Sequence, residues 1–458
     1  MRITFHALVT AVAATICAGS AYAQLQQPAS ARPASLTYTY YAQDDADPVQ
    51  SSPSDIAVPE DDEAVADESE VSDAADECCE EDEGPVHLFH ETSHGIQVGG
   101  WLNGGYYYNQ YGNDQTFGNQ PIPFVQHADT VMLNQAWIYA DKPLDLENNC
   151  SDWGFHIDYL FGADGPDTQA FGDEGWDNLW DAGRYYGSAI PQAYVEYGHC
   201  DWSVKAGKFF TLIGYEVVQA PLNFFYSHAY TMNYGEPFTH TGALATKKVN
   251  DQVSVTGGYT MGWDSGFNNS NDAHTFLGSV SWKSCDERLN VIYAVNAGDF
   301  GNGEQLDDVA LVINQPRGIV GNSGDIYMHS IVAIYDVNEC TQYVFQSDLG
   351  INSNIPGQED REWYGINQYL FHTLSSCHKL GARFEWFDDS DGARVGFGDN
   401  DYYSITLGLN YTPNSNVCVR PEVRYDWASD NPAYDPNAAR QPTKDDGLFY
   451  GVDFYVIY

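Results

Sequence analysis

The feature that most constrains this chain is a two-residue alternation that recurs from about Gly95 to the last residue. In VCVRPEVRYDW one side carries Val417, Val419, Val423, Tyr425 and Trp427, and the other carries Arg420, Glu422, Arg424 and Asp426. KLGARFEWF likewise sets Leu380, Ala382, Phe384 and Trp386 against Lys379, Gly381, Arg383 and Glu385. The final stretch, GLFYGVDFYVIY, repeats the pattern, with Leu448, Tyr450, Val452, Phe454, Val456 and Tyr458 opposite Gly447, Phe449, Gly451, Asp453, Tyr455 and Ile457. A period of two means strands, and a side bearing Arg, Glu, Arg and Asp in succession is a wet one. Strands with an apolar medium on one face and water on the other build a membrane-spanning barrel, whereas in a soluble sandwich the apolar faces would meet in a core.

Beyond the N-terminal leader no stretch reaches the roughly 18 to 20 apolar residues that a membrane helix needs, so any crossing must be made by strands. Connections alternate in length. Short ones such as LENNCSD, GHCD, VND, KSCDE, VNECT, SSCH and TPNSNV take turns with long ones such as Asp164–Gly187, Phe209–Thr239, Phe300–Gly324 and Ala428–Asp446. Short turns at one end and long loops at the other are the pattern of an outer-membrane barrel. The spacing predicts an all-β fold, a transmembrane antiparallel β-barrel of roughly 16 strands, each about 9 to 11 residues long. The last strand is expected to pair with the first, near Ile96 to Tyr108, so that neither edge stays open.

Three regions follow. Residues 1–23 read as a secretory signal peptide, with Arg2, an apolar run from Ala7 to Ala18 and the small-x-small site Ala21-Tyr22-Ala23. Residues 24–94 read as a disordered, acidic periplasmic spacer: Asp44 to Glu83 holds 18 acids and no base, so like charges repel and little apolar surface is available to bury. Residues 95–458 are the barrel, and the expected location is the outer membrane. The whole chain has 65 acids against 19 Lys and Arg. That balance excludes nucleic acid as a partner, because phosphate contacts need basic patches. The 13 histidines form neither an HExxH nor a placeable Ser/His/Asp arrangement, so no enzyme activity, cofactor or metal site is expected. The acid-rich loops Asp164–Asn178 and Asp388–Asp401 do not match the twelve-residue calcium loop and read as solvated surface loops.

Six of the nine cysteines, Cys150, Cys200, Cys285, Cys340, Cys377 and Cys418, lie in or beside short turns. In an oxidising compartment neighbouring turns would pair as Cys150–Cys200, Cys285–Cys340 and Cys377–Cys418, provided that the turns lean together; free thiols are the alternative. Cys78-Cys79 lacks metal-ligand spacing.

The segment Gly207 to Thr246, GKFFTLIGYEVVQAPLNFFYSHAYTMNYGEPFTHTGALAT, resembles the corresponding stretch of the OmpL-like outer-membrane β-barrel porins. The similarity is clearest in Gly207-Lys208-Phe209, Ile213-Gly214-Tyr215-Glu216, Asn223-Phe224-Phe225-Tyr226-Ser227 and His240-Thr241-Gly242. The resemblance implies a diffusion porin for small hydrophilic solutes and ions, with outer-membrane lipid as its surroundings, a homotrimer as its assembly, and no catalytic residues. In porins this loop commonly folds inward. Glu216, Tyr226, His228 and Glu236 are then candidate constriction residues facing Arg383, Arg420 and Arg424 across the pore, where acids opposed to bases would set up a transverse field. The alternative is that the loop braces the barrel and its polar groups satisfy one another. An acid excess predicts a weak cation preference. Two other functions compete with the porin: a secreted all-β binding or adhesion protein, and an outer-membrane barrel enzyme.

Overall fold

A computed structural model of the chain describes residues 92, 94–112, 118–146, 148–170, 176–177, 185–269, 271–302, 323–389, 391–436 and 441–458. The expected signal peptide, all of the expected spacer except residues 92 and 94, and the Cys78-Cys79 pair lie outside the described residues.

Alternation becomes strand throughout: β1 (Gln97–Asn109), β2 (Thr130–Lys142), β3 (Ser151–Gly162), β4 (Gly187–Ala189), β5 (Ala193–His199), β6 (Trp202–Phe210), β7 (Thr239–Asn250), β8 (Val253–Thr260) and β9 (His274–Lys283). The second half continues with β10 (Leu289–Asn302), β11 (Ser323–Asn338), β12 (Thr341–Ser353), β13 (Arg361–Ser375), β14 (His378–Asp389), β15 (Asn400–Asn414), β16 (Val417–Ala428) and β17 (Asp446–Ile457). Each pairs antiparallel with its neighbours in one sheet. β4 and β5 both pair with β3 and are two lengths of one stave, interrupted where Pro191 has no N–H for the ladder. The barrel therefore has 16 staves.

The sheet closes where β17 meets β1, from Trp101↔Ile457 to Asn109↔Phe449. Tyr458 completes the seam: its N–H donates to the Gly100 carbonyl at 2.9 Å, and the Gly100 N–H donates back at 3.1 Å. Several strands exceed the expected length. β11 has 16 residues and β13 has 15, because their polar ends, such as exposed Asp325 and Asp336 on β11, run past the thickness that about ten tilted residues span.

Faces sort as the alternation predicts. Leu380 and Phe384 on β14, Val423 and Tyr425 on β16, and Leu448, Tyr450, Val452 and Phe454 on β17 are exposed outward. Their alternates Arg383, Glu385, Arg420, Arg424, Asp426, Phe449 and Asp453 are buried inside. Apolar faces therefore do not meet in a sandwich core, which removes the soluble all-β alternative. Among the described residues no helix is long and apolar enough to cross a membrane, so crossing falls to the strands.

The cysteines follow strand geometry rather than turn order. Cys150 precedes β3 and Cys200 follows β5, adjacent strands in register at Ser151↔His199, so their Cα atoms are 4.7 Å apart and they are disulfide-bonded. The expected Cys285–Cys340 and Cys377–Cys418 bridges do not form. Cys285 follows β9 and Cys340 precedes β12, which puts β10 and β11 between them, and both are free thiols. Cys377 precedes β14 and Cys418 lies on β16, so β15 separates them; Cys377 is disulfide-bonded, whereas Cys418 is a free, buried thiol. Strands lie about 4.8 Å apart, so only a pair flanking a single strand interface comes within bridging range.

Candidate functional site

The segment between β6 and β7, residues 211–238, enters the barrel. Its regular structure amounts to a 3-10 turn, Ala220–Leu222, and a π-helical turn, Thr231–Gly235. Irregular backbone at membrane depth must find partners for its N–H and C=O groups inside the protein. The wall of β14, β16 and β17 supplies them in two chemical classes.

Arginines take the carbonyls. Arg420 donates to the carbonyls of Ala220 at 2.8 Å and Asn223 at 2.6 Å, Arg383 to that of Ser227 at 2.8 Å, and Arg424 to that of His228 at 2.6 Å. Carboxylates take the amides. Glu422 accepts from the Tyr226 N–H at 2.8 Å and from the Tyr107 hydroxyl at 2.7 Å. Glu385 accepts from the N–H groups of Tyr230 at 2.9 Å and Thr231 at 2.7 Å, and from the Thr231 hydroxyl at 2.8 Å. The arginine charges are balanced locally: Arg383 meets Glu216 at 2.7 Å, Arg424 Nε meets Asp426 at 2.9 Å, and Arg420 forks onto Asp453, with Nε at 2.9 Å from Oδ1. Arg383 also lies 4.9 Å above the Phe225 ring and Arg424 lies 5.0 Å above that of Tyr230.

Glycines on the inner wall give the segment room. A Cβ at Gly381 would come within 2.3 Å of Phe224 and one at Gly365 within 2.5 Å of Thr231, so both rows of the wall are cut to the segment's side chains. Among the described residues three clusters of buried apolar side chains surround it, and the largest runs from wall to wall. It joins Tyr107, Leu244, Leu277, Met328, Trp363, Phe387, Tyr402 and Phe449 of the strands to Ile213, Tyr226, Tyr230 and Tyr234 of the segment.

The sequence-predicted residues thus come together differently from an open eyelet. Glu216 is in contact with Arg383 rather than across water from it, and its other oxygen lies 3.3 Å from His228 Nδ1. Burial alone would raise the Glu216 carboxyl, but Arg383 and then His228 hold it below the usual carboxylate range. Tyr226 donates to Asn134 Oδ1 at 2.9 Å, and the His228 ring packs on Phe124. Glu236 stands apart from the arginines: Gln346 donates to it at 2.6 Å, and burial followed by the nearby Asp348 pushes its carboxyl well above the usual range. Sequence reasoning did not assign roles to Glu385, Glu422, Asp426 and Asp453, or to the glycine sockets. The four acids were visible as members of the wet faces, but nothing in the alternation tells which loop atoms they meet.

The acid-rich loops are not merely solvated. Asp389 is buried and accepts the N–H groups of Ala393, Arg394 and Val395, and buried Asp164 accepts from Gln135 at 2.8 Å. Among the described residues one group of three His, Cys, Asp or Glu side chains comes close enough together to hold a metal ion, Cys150, His199 and Cys200, and its two sulfurs are bonded to each other.

Residues 95–457 match the family described as "Putative beta-barrel porin-2, OmpL-like". The chain belongs to this porin family. Solved structures share the porin's fold at low sequence identity. The outer membrane channel DcaP of Acinetobacter baumannii is 10% identical with a TM-score of 0.51, the match covering 81% of this chain and 99% of that one. The anion-selective porin from Comamonas acidovorans is 10% identical with a TM-score of 0.52, over 79% and 99%. Salmonella typhi OmpF in complex with daunomycin is 14% identical with a TM-score of 0.51, over 80% and 99%. Among curated proteins no sequence matches the chain. It is an outer-membrane porin, and membership of a porin family favours a channel over the barrel enzyme.

Proposed function

We propose that this porin passes small hydrophilic solutes and ions by passive diffusion, with residues 211–238 as the element that limits passage and with a weak preference for cations. The observation that carries the reading is the double anchoring of that segment, carbonyls to Arg383, Arg420 and Arg424 and amides to Glu385 and Glu422, inside a closed barrel. A segment held this way sets the bore through its own side chains, and Glu216, Tyr226, His228 and Glu236 are the constriction residues in this proposal.

Cation preference is supported by the charges that surround the segment. The three arginines stand among Glu216, Glu385, Glu422, Asp426 and Asp453, all buried. Beyond Glu83 the chain carries 47 acids, 65 less the 18 of the spacer, against 17 bases, 19 less Arg2 and Arg32. Such an excess enriches cations at the mouths and fades as salt shortens the Debye length. The anion selectivity of the Comamonas porin belongs to that protein; a shared fold does not set the sign. Export by a cleaved signal peptide and assembly as a homotrimer complete the proposal.

Planar-bilayer recording across a KCl gradient tests it, together with liposome swelling in a series of sugars of increasing size. A reversal potential of cation sign that shrinks with salt, and swelling that falls with solute size, are expected. A chloride-signed potential at low salt contradicts the preference, and swelling no faster than protein-free liposomes contradicts diffusion.

A further inference from the structure

A second polar cluster lies on the wall away from the arginine anchors. Antiparallel register puts Ser330 of β11 opposite Asp348 of β12, Gln346 of β12 opposite Asn367 of β13, and Asn367 opposite Glu385 of β14. Residues directly opposite share a face, and all five are buried on the inside. The inward segment meets this row at both of its ends. The Gly214 N–H donates to Ser330 Oγ at 3.3 Å, and the Tyr215 N–H donates to Gln346 Oε1 at 3.1 Å. From the other end Glu236 arrives: one nitrogen, Gln346 Nε2, donates to Glu236 Oε1 at 2.6 Å and to Asp348 Oδ2 at 2.9 Å.

Two carboxyl groups therefore converge on a single amide nitrogen with no arginine ion-paired to either among the described residues: Arg383 is committed to Glu216, Ser227 and Thr406, and Arg394 donates to the Tyr234 carbonyl. Two further observations point to a ligand. Among the described residues neither side-chain atom of fully buried Asn367, which lies diagonally across the ladder from Asp348, has a hydrogen-bond partner, and the second oxygen of Asp348 has only Ser330 and Glu236 beside it. Gly214 has a φ of +87°, and a Cβ there would come within 2.0 Å of Glu236 Oε2, so glycine keeps this carboxylate's berth open. Buried carboxylates without a counter-charge are costly, and polar atoms buried without partners add to that cost. What the cluster offers is a set of hard oxygens: two carboxylates, an amide carbonyl and the Ser330 hydroxyl. Calcium takes six to eight such ligands in flexible geometry, whereas magnesium demands a tight octahedron and keeps its water.

We propose that Glu236 and Asp348, completed by Asn367 Oδ1 and Ser330 Oγ, form a calcium site that pins the C-terminal end of the inward segment to β11–β13. The site is distinct from the anchors made by Arg383, Arg420 and Arg424, which hold residues 220–228, and from Arg394, which donates to the Tyr234 carbonyl at 2.5 Å, and it does not depend on whether or how the barrel conducts. It would add to the tie that the Trp363 indole N–H already makes with the Gly235 carbonyl at 3.0 Å, away from β16 and β17.

The test uses the full-length protein refolded in detergent, with terbium as the probe and calcium as competitor. Aromatic residues next to the cluster, Tyr215 and Trp363, serve to sensitise terbium emission. Expected is one saturable class per chain that calcium displaces, absent from both Asp348→Asn and Glu236→Gln and weakened about tenfold in Asn367→Ala. Calcium should also raise the temperature at which the folded, heat-modifiable form is lost, in the wild type and not in the two carboxylate variants. Terbium emission that is the same in wild type and both variants would assign the binding to surface acids and overturn the proposal. So would a wild type whose unfolding temperature responds to calcium no more than to sodium at equal ionic strength, which would mean that a shared proton alone neutralises the pair. The wild-type comparison stands even if a variant does not refold.

Discussion

Replacing Arg383 by methionine removes the guanidinium that joins β14 to the inward segment while keeping much of the side chain's volume. In the wild type that group donates to Glu216 at 2.7 Å, to the Ser227 carbonyl at 2.8 Å, and to the Ser227 and Thr406 hydroxyls at 3.1 Å each. Without it the Glu216 carboxylate is left buried with His228 as its nearest cationic candidate, and the Ser227 carbonyl loses its donor. Removing one partner of a buried ion pair costs about 3–5 kcal/mol, most of it the penalty of the orphaned charge. At about 1.4 kcal/mol per tenfold, the anchored arrangement of the segment loses roughly two to three and a half powers of ten against any displaced arrangement. Single-channel recording reads this directly: Arg383→Met should show larger conductance steps or long openings that the wild type visits rarely. The double variant Glu216→Gln/Arg383→Met leaves no orphaned charge and should fall between the two. If Arg383→Met folds into the heat-modifiable form and its conductance and dwell times equal those of the wild type, the anchoring argument is wrong.

Other outcomes follow from the same contacts. Because Arg383 and His228 hold the folded Glu216 carboxyl below its ordinary value, its contribution is fully present above about pH 4.3 and is lost only as pH falls through the lower folded value; the difference in unfolding temperature between wild type and Glu216→Gln should be flat from pH 7 to 5 and shrink only in stronger acid, and a difference that collapses near pH 6 would contradict it. Gly381→Ala places a methyl 2.3 Å from Phe224 and should displace the segment's Phe224-Phe225 corner, raising conductance and lowering the unfolding temperature, whereas the same change at Gly357, with nothing within 4 Å but a φ of +72° that strains alanine, should lower the unfolding temperature and leave conductance alone. Alkylation without reduction should label Cys285 and Cys340 quickly and Cys418 slowly while sparing Cys150 and Cys200; labelling of the last pair in the folded protein would refute the bridge. Cys150→Ser with Cys200→Ser should cost on the order of 4 kcal/mol in a loop-closure account of the 50-residue separation, visible as earlier loss of the heat-modifiable form.

How much of this was legible in the sequence depends on the range of the interaction. The strands and their wet and dry faces were readable because a strand's solvent environment is written every second residue: Leu380, Phe384, Arg383 and Glu385 stand where KLGARFEWF puts them. The inward segment was bounded to within a residue or two by the strands on either side of it. Its anchoring was not readable. Arg383 and Glu216 are 167 residues apart, and the register that joins them is set by fourteen intervening staves and turns rather than by any local pattern. For the same reason an acid-against-base eyelet was expected where the structure has contact: a sequence gives the signs of two charges but not whether water separates them. Of the three cysteine pairings Cys150–Cys200 stands and the other two failed similarly, since turn order suggested Cys285–Cys340 while what decides pairing is which side of its turn each thiol occupies.

The account rests on residues 211–238 lying against the wall of β13–β17 while the porin is in its membrane. Ser227 and Thr406 both accept from Arg383 NH2 at 3.1 Å, so their side chains are close neighbours across the segment–wall boundary. Thiols placed at both positions, in a chain whose Cys285, Cys340 and Cys418 are replaced by serine, can be challenged in intact outer membranes with a short bis-methanethiosulfonate reagent. The account predicts rapid intramolecular linkage of Ser227→Cys to Thr406→Cys, and none when the second thiol is moved to Thr256→Cys on β8. Linkage to the β8 position, or modification of both thiols without linkage at either, would place the segment elsewhere and contradict it.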